Sequence, residues 1–154
     1  MKTVLFFALC LWGCAAQARE AEFAGKFYPG DKAELTAFVD KALAAAGVKR
    51  PEGRIIAVVA PHAGYEFSGK VAGRAYEFIE DSYDTVVILS AGHVAGVRGA
   101  ALLASGFYST PLGRVEIDEA LSRALIKANP LFADNPAAHA GEHAVEVQLS
   151  LIHI

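Results

Sequence analysis

The chain has 154 residues, 54% of them hydrophobic and 20% charged, with a formal net charge of −3. That length suits one domain, and a chain of this size buries enough surface to hold a core without a disulfide or a metal. Seventeen acidic residues against fourteen basic ones exclude a broad nucleic-acid footprint, because phosphate binding needs a basic excess; high apolar content with low charge excludes disorder.

The first residues read as an export signal. Lys2 precedes an apolar run from Val4 to Trp12, and Ala16-Gln17-Ala18 has the A-x-A form of a cleavage site. The run is shorter than the about 20 apolar residues a spanning helix needs. Removal of residues 1–18 is expected, leaving Arg19 to Ile154 and an exported protein. Leu11-Trp12-Gly13-Cys14 is similar to a lipoprotein box, which would instead place a lipid anchor on Cys14. Both cysteines, Cys10 and Cys14, lie in this segment. The mature chain would then carry a charge of −4 and no thiol for a disulfide, a thiolate metal site or a nucleophile.

Beyond it, helices and strands alternate. Asp31 is placed to cap a helix from Lys32, with Glu34 three positions on. Leu35, Phe38, Val39, Ala42, Leu43 and Ala46 follow at helical spacing until Gly47. Ile55 to Ala60 is a continuous apolar run that predicts a strand buried on both faces. Ser68 is expected to cap a helix with Val71, Ala75, Phe78 and Ile79 as its apolar stripe. Thr85 to Leu89 predicts a second buried strand, and Gly99 to Ala104 a weaker one. Thr110-Pro111-Leu112-Gly113 is a turn. Asp118 caps a helix carrying Leu121, Ala124 and Leu125 on one face. Strand, helix, strand at this spacing predicts a right-handed βαβ unit in a mainly parallel α/β sheet flanked by helices. Tyr28 is expected to pack, Tyr65 to pack or to line a cleft, and Ser68 and Ser109 to act in caps or turns rather than as nucleophiles.

In such sheets ligands bind beyond the carboxyl ends of the strands. Two loops stand there: Pro61-His62-Ala63-Gly64-Tyr65 and Ser90-Ala91-Gly92-His93. Each puts a histidine next to glycine just after an apolar run. Neutral imidazole is the commonest protein metal ligand, so His62 and His93 are the candidate ligands. Histidine with carboxylate and water suits iron, copper, zinc or manganese. A further cluster, His139-Ala140-Gly141-Glu142-His143, reads as H-x-x-E-H, the inverted zinc-peptidase motif. That chemistry needs both histidines on one helical face and a glutamate polarising bound water. Gly141 in its middle and Pro136 before it favour a turn entering a helix, with Glu142 near the helix dipole.

These residues also carry a resemblance. Ala24-Gly25-Lys26-Phe27-Tyr28-Pro29, Pro61-His62-Ala63-Gly64-Tyr65 with Phe67-Ser68-Gly69, the run Thr85–Leu89 leading to His93, Tyr108–Gly113 with Val115–Asp118, and Glu142–Leu149 occur in one order. Together they resemble the Memo family, also called AmmeMemoRadiSam system protein B. The resemblance implies a fold akin to the class III extradiol dioxygenases, with metal bound by His62 and His93 and the E-H pair, Glu142 and His143, as the catalytic acid–base candidates near the cleft. Iron or copper is the metal implied, with zinc also compatible, and a radical-SAM protein and an AMMECR-type domain are the partners implied. Three departures stand out. The family's G-P-S-H is Ser90-Ala91-Gly92-His93 here, its E-H-S is Glu142-His143-Ala144, and the later segment with a further histidine and a cysteine is not present. The resemblance therefore implies a Memo-like domain over 19–149, truncated at its C-terminus and followed by an anomalous tail at 150–154.

Three functions follow. The first is a metal-binding protein with a dioxygenase-type cleft used for redox or O2-dependent chemistry. The second is a non-enzymatic metal- or peptide-binding module. The third is the zinc peptidase.

Overall fold

The computed structural model describes residues 18–44, 49–79, 83–94 and 96–152. The export segment at 1–17, both cysteines, Ala46, Gly47 and His153 lie outside them. In chain order the elements are β1 (Ala18–Arg19), α1 (Lys32–Leu43), α2 (Tyr65–Tyr76), β2 (Ala100–Leu102), β3 (Phe107–Thr110), β4 (Gly113–Glu116), α3 (Glu119–Ala128), β5 (Phe132–Asp134), a 3-10 turn at Pro136–Ala138, and α4 (Ala144–Ile152). Among the described residues no helix is long and apolar enough to cross a membrane.

The architecture is a mixed α/β one, with parallel strand pairs flanked by helices. β1 pairs in parallel with β3, Arg19 opposite Tyr108. β3 and β4 form an antiparallel hairpin across the expected Thr110–Gly113 turn. β2 and β5 make a separate parallel pair. Its crossover runs through the hairpin and α3, so the parallel connection exists, though between other segments than the sequence suggested.

Local chemistry explains the helix ends. Asp31 accepts from the N–H groups of Ala33 and Glu34 at 2.8 and 3.0 Å, and so caps α1 as expected. Asp118 likewise accepts from Leu121 and starts α3. α2 departs from expectation. It begins at Tyr65, after Gly64, and Ser68 lies inside it with its hydroxyl donated to the Ala63 carbonyl. Its buried face is Tyr65, Ser68, Gly69, Ala72 and Gly73, and Val71 is exposed. Close approach to α1 decided this: a Cβ on Gly73 would stand 2.6 Å from the Ala42 Cβ, and one on Gly69 2.7 Å from the Phe38 ring. A small-residue seam, rather than the most apolar stripe, chose the face.

The two long apolar runs also depart from expectation. Ile55–Ala60 and Thr85–Leu89 lie outside any helix or strand, and Ile56, Val59 and Leu89 are 93%, 97% and 86% exposed. The βαβ unit expected around α2 is therefore not formed. An apolar run encodes a preference for burial, but a strand also needs a neighbour for its N–H and C=O groups, and among the described residues these runs have none. They wall a cleft of about 580 Å3 instead, together with Tyr76, Ile79, Gln148 and Ile152.

α4 is the centre of the molecule. Seven of its nine residues are buried, Glu146, Gln148 and Ser150 among them, as befits a helix packed on all sides. Val147 and Leu151 join Tyr28, Leu35, Val39, Tyr65 and Ala72 in one apolar cluster. Leu149 joins Leu103 and Tyr108 in a second. Ser150 and Leu151 continue the helix beyond Leu149 and are buried.

Glu146 is wholly buried. Its Oε1 accepts from the Tyr28 hydroxyl at 2.7 Å and the Phe23 N–H at 2.8 Å. Its Oε2 faces the Arg19 guanidinium at 3.1 Å. Arg19 also donates to the carbonyls of His139 and Glu142.

Two predictions concern stability. Gly73→Ala should cost about 1–3 kcal/mol by forcing α1 and α2 apart, seen as a lower urea midpoint at unchanged slope. Glu146→Ala should cost about 2–4 kcal/mol, because it leaves the Tyr28 hydroxyl and the Phe23 N–H without their acceptor and Arg19 with only the half-exposed Glu22, at 3.1 Å, as its carboxylate partner, while Tyr28→Phe should cost about 1 kcal/mol. Equal costs for the two would show that Glu146 matters only through its hydrogen bond to Tyr28.

Candidate metal centre

His62 stands in the loop between the first apolar run and α2. The C-terminal side of that loop is pinned by the Tyr65 N–H, which donates to the Phe27 carbonyl at 2.7 Å. His93 ends the loop after the second run. His143 immediately precedes α4, where a turn through Gly141 at φ +68° reverses the chain; that left-handed conformation favours glycine. These three loops meet. Ring centroids of His62 and His93 are 5.2 Å apart, those of His62 and His143 5.8 Å, and those of His93 and His143 4.6 Å. One ring nitrogen from each lies within 4.8 Å of the others, a set that could hold a metal ion.

Glu142 organises two of the rings. Its Oε1 lies 2.9 Å from Nδ1 of His93 and 3.3 Å from Nδ1 of His143, and its Oε2 accepts from the His93 N–H. The Ala144 N–H donates to Oε1 as well. Burial works against the charge on this carboxylate, but the backbone donors of His93 and Ala144 and the His93 ring outweigh it, and its pKa falls to about 2. With Nδ1 of His93 committed to Glu142, its Nε2 is left to face an ion. A carboxylate behind a histidine in this way fixes the ring and its tautomer.

His143 sits against aromatic rings, with Phe27 at 4.8 Å and Phe23 at 5.7 Å between centroids. Burial lowers its pKa; Glu142 opposes this, and His93 and His62 add to it. Neutral imidazole is the form that binds metal, so the electrostatics suit a ligand. The donor set, three imidazoles backed by a carboxylate, fits iron, copper or zinc.

The structure therefore brings His62 and His93 together as the sequence suggested and adds His143, read there as an acid–base group, to the same cluster. It separates His139 from them. That ring hydrogen-bonds the Tyr108 hydroxyl at 2.7 Å. Residues 139–143 pass from the 3-10 turn through Gly141 and are not helical, so the shared helical face that the H-x-x-E-H reading requires is missing. Tyr65 packs rather than lining the site: it is buried, stacks on Phe38 and donates to the Val147 carbonyl.

Arg19, Glu146 and Gln148 were not singled out from the sequence. Their signal is a glutamate and a glutamine inside the otherwise apolar run Ala144–Ile152; buried polar groups in such a run need partners.

A family model described as Memo-like protein matches residues 19–154. A MEMO1 family protein of Methanopyrus kandleri is 38% identical over 143 residues, covering 87% of this chain and 50% of that protein. One of Pyrococcus furiosus is 41% identical over 136 residues, covering 87% and 46%. One of Methanothermobacter thermautotrophicus is 37% identical over 145 residues, covering 87% and 51%. The chain spans about half the length of the curated relatives it matches. That agreement extends over the segments that carry all three clustered histidines, Glu142 and α4, and by it the chain belongs to the Memo-like family.

Proposed function

We propose that the chain binds a divalent transition metal, iron or copper, through His62, His93 and His143, and uses the centre for redox or O2-dependent chemistry on a molecule admitted from the adjoining cleft. The observation that carries this reading is the convergence of three ring nitrogens within 4.8 Å. When bound, the metal supplies Lewis acidity and one-electron redox capacity. The protein's own groups do the rest. Glu142 holds the His93 ring through Nδ1 and lies beside that of His143. Phe23 and Phe27 cover His143 and keep water from that side of the cluster. His62 borders the cleft walled by Ile55–Ala60 and Thr85–Leu89, so it is the ligand a bound molecule would meet. Export of the protein, with removal of residues 1–18, is part of the same reading.

Metal analysis tests it. After loading with Fe2+ or Cu2+, the wild-type chain should retain about one ion per chain, as a single cluster implies, and His62→Ala, His93→Ala and His143→Ala should retain little while still melting cooperatively. Glu142→Gln should weaken affinity about 10–100-fold, the usual cost of losing a carboxylate that orients a ligand. Unchanged metal content in His62→Ala and His93→Ala would end the proposal. Oxygen consumption with catechol-type substrates that vanishes in the same variants marks an enzyme; tight metal binding without consumption marks a binding module, the second reading of the sequence.

A further inference from the structure

The three imidazoles are not held in the same way. His93 is held by Glu142, and His143 is built into the start of α4 and flanked by two phenylalanines. His62 has no such side-chain partner on its ring among the described residues. Its direction has to come from the backbone of its loop. After His62 that backbone is well anchored: Ser68 donates to the Ala63 carbonyl at 2.9 Å and the Tyr65 N–H to Phe27 at 2.7 Å. Before it, Ile55–Ala60 belongs to no strand ladder, and Pro61 has no N–H to give. The proline ring sets its own φ near −65°. The tilt of the Pro61–His62 peptide plane, which aims the Cα–Cβ bond of His62, is the backbone freedom that remains on that side.

One side chain removes it. Gln148 Nε2 donates to the Pro61 carbonyl at 3.0 Å. The other end of the same amide is held as well, since the Tyr76 hydroxyl donates to Gln148 Oε1 at 2.7 Å. Gln148 is buried on α4, between Val147 and Leu149, which face the two apolar clusters. An apolar residue would pack there without the desolvation cost of a buried amide. Both ends of that amide are used, and both lead to segments that bear on His62: the residue before it, and the last residue of the helix that follows it.

We infer that Gln148 is a positioning residue of the histidine cluster: braced by Tyr76, its amide fixes the Pro61 carbonyl and thereby the direction in which His62 meets His93 and His143. With this, residues 142–148 govern all three rings, through Glu142, His143 itself and Gln148. The inference rests on the metal-centre reading for its consequence, though not for its geometry.

The test has a metal-free arm and a metal arm, using the full chain with Gln148→Met, Gln148→Glu and Tyr76→Phe. In metal-free protein, NMR should show ring-to-ring contacts for His62–His93 and His93–His143 in the wild type. Both Gln148 variants should lose the first contact and keep the second. Gln148→Glu, compared at mildly alkaline pH where the carboxyl is ionised, checks against mere packing loss, since the carboxylate keeps the side-chain shape and an acceptor for Tyr76 but has no proton to donate to Pro61. In Cu2+ competition titrations both Gln148 variants should bind about 10–100-fold more weakly, and Tyr76→Phe less than tenfold more weakly. Adding Gln148→Met to His62→Ala should then cost no further affinity, because the effect runs through that ring. Persistence of the His62–His93 contact in folded Gln148 variants overturns the inference, as does an additive loss in the double variant. A wild type that shows the ring contacts but takes up no metal defeats the metal reading alone, and the metal-free arm still decides the role of Gln148.

Discussion

A charge pair out of reach of water governs this fold. Glu146 lies in the middle of α4 and is fully buried, and its carboxylate is shared by the Arg19 guanidinium, the Tyr28 hydroxyl and the Phe23 N–H. A buried ion pair is a weak source of net stability, because desolvation offsets most of the attraction. Its value is in selecting one arrangement. The groups that satisfy the buried carboxylate come from the segment Arg19 to Tyr28, where it crosses α4. That crossing sets Phe23 and Phe27 against His143.

The same helix then distributes its polar groups in several directions. Glu146 reaches the N-terminal segment and Gln148 the Pro61 loop, and Glu142, in the turn just before the helix, reaches the His93 loop. Val147 and Leu151 face one apolar cluster and Leu149 the other. The cluster of histidines is therefore assembled by tertiary contacts from loops distant in sequence, rather than by one local motif. This is why the H-x-x-E-H spelling misleads. Its two histidines are separated by a left-handed glycine, and one of them goes to Tyr108.

The α1–α2 seam shows a similar logic at lower cost. Gly69 and Gly73 admit the Phe38 ring and the Ala42 backbone at distances no side chain would allow. Close helices bring the Gly64–Tyr65 start of α2 beneath the Phe27 carbonyl, which holds the His62 loop over α4. Packing at the seam and geometry at the cluster are thus linked through α2.

Sequence alone determined the local events. Asp31 and Asp118 cap their helices, Thr110–Gly113 turns a hairpin, and His62 and His93 fall in loops after apolar runs. Each of these depends on a few neighbouring residues, so spacing and side-chain type suffice. Tertiary structure alone decided the rest: that Ile55–Ala60 and Thr85–Leu89 wall a cleft outside any ladder, that α2 buries its glycines, and that His143 rather than His139 completes the trio. Strand pairing, helix approach and ring convergence each need a partner from elsewhere in the chain. Periodicity records which residues avoid water, and carries no record of which partner they meet.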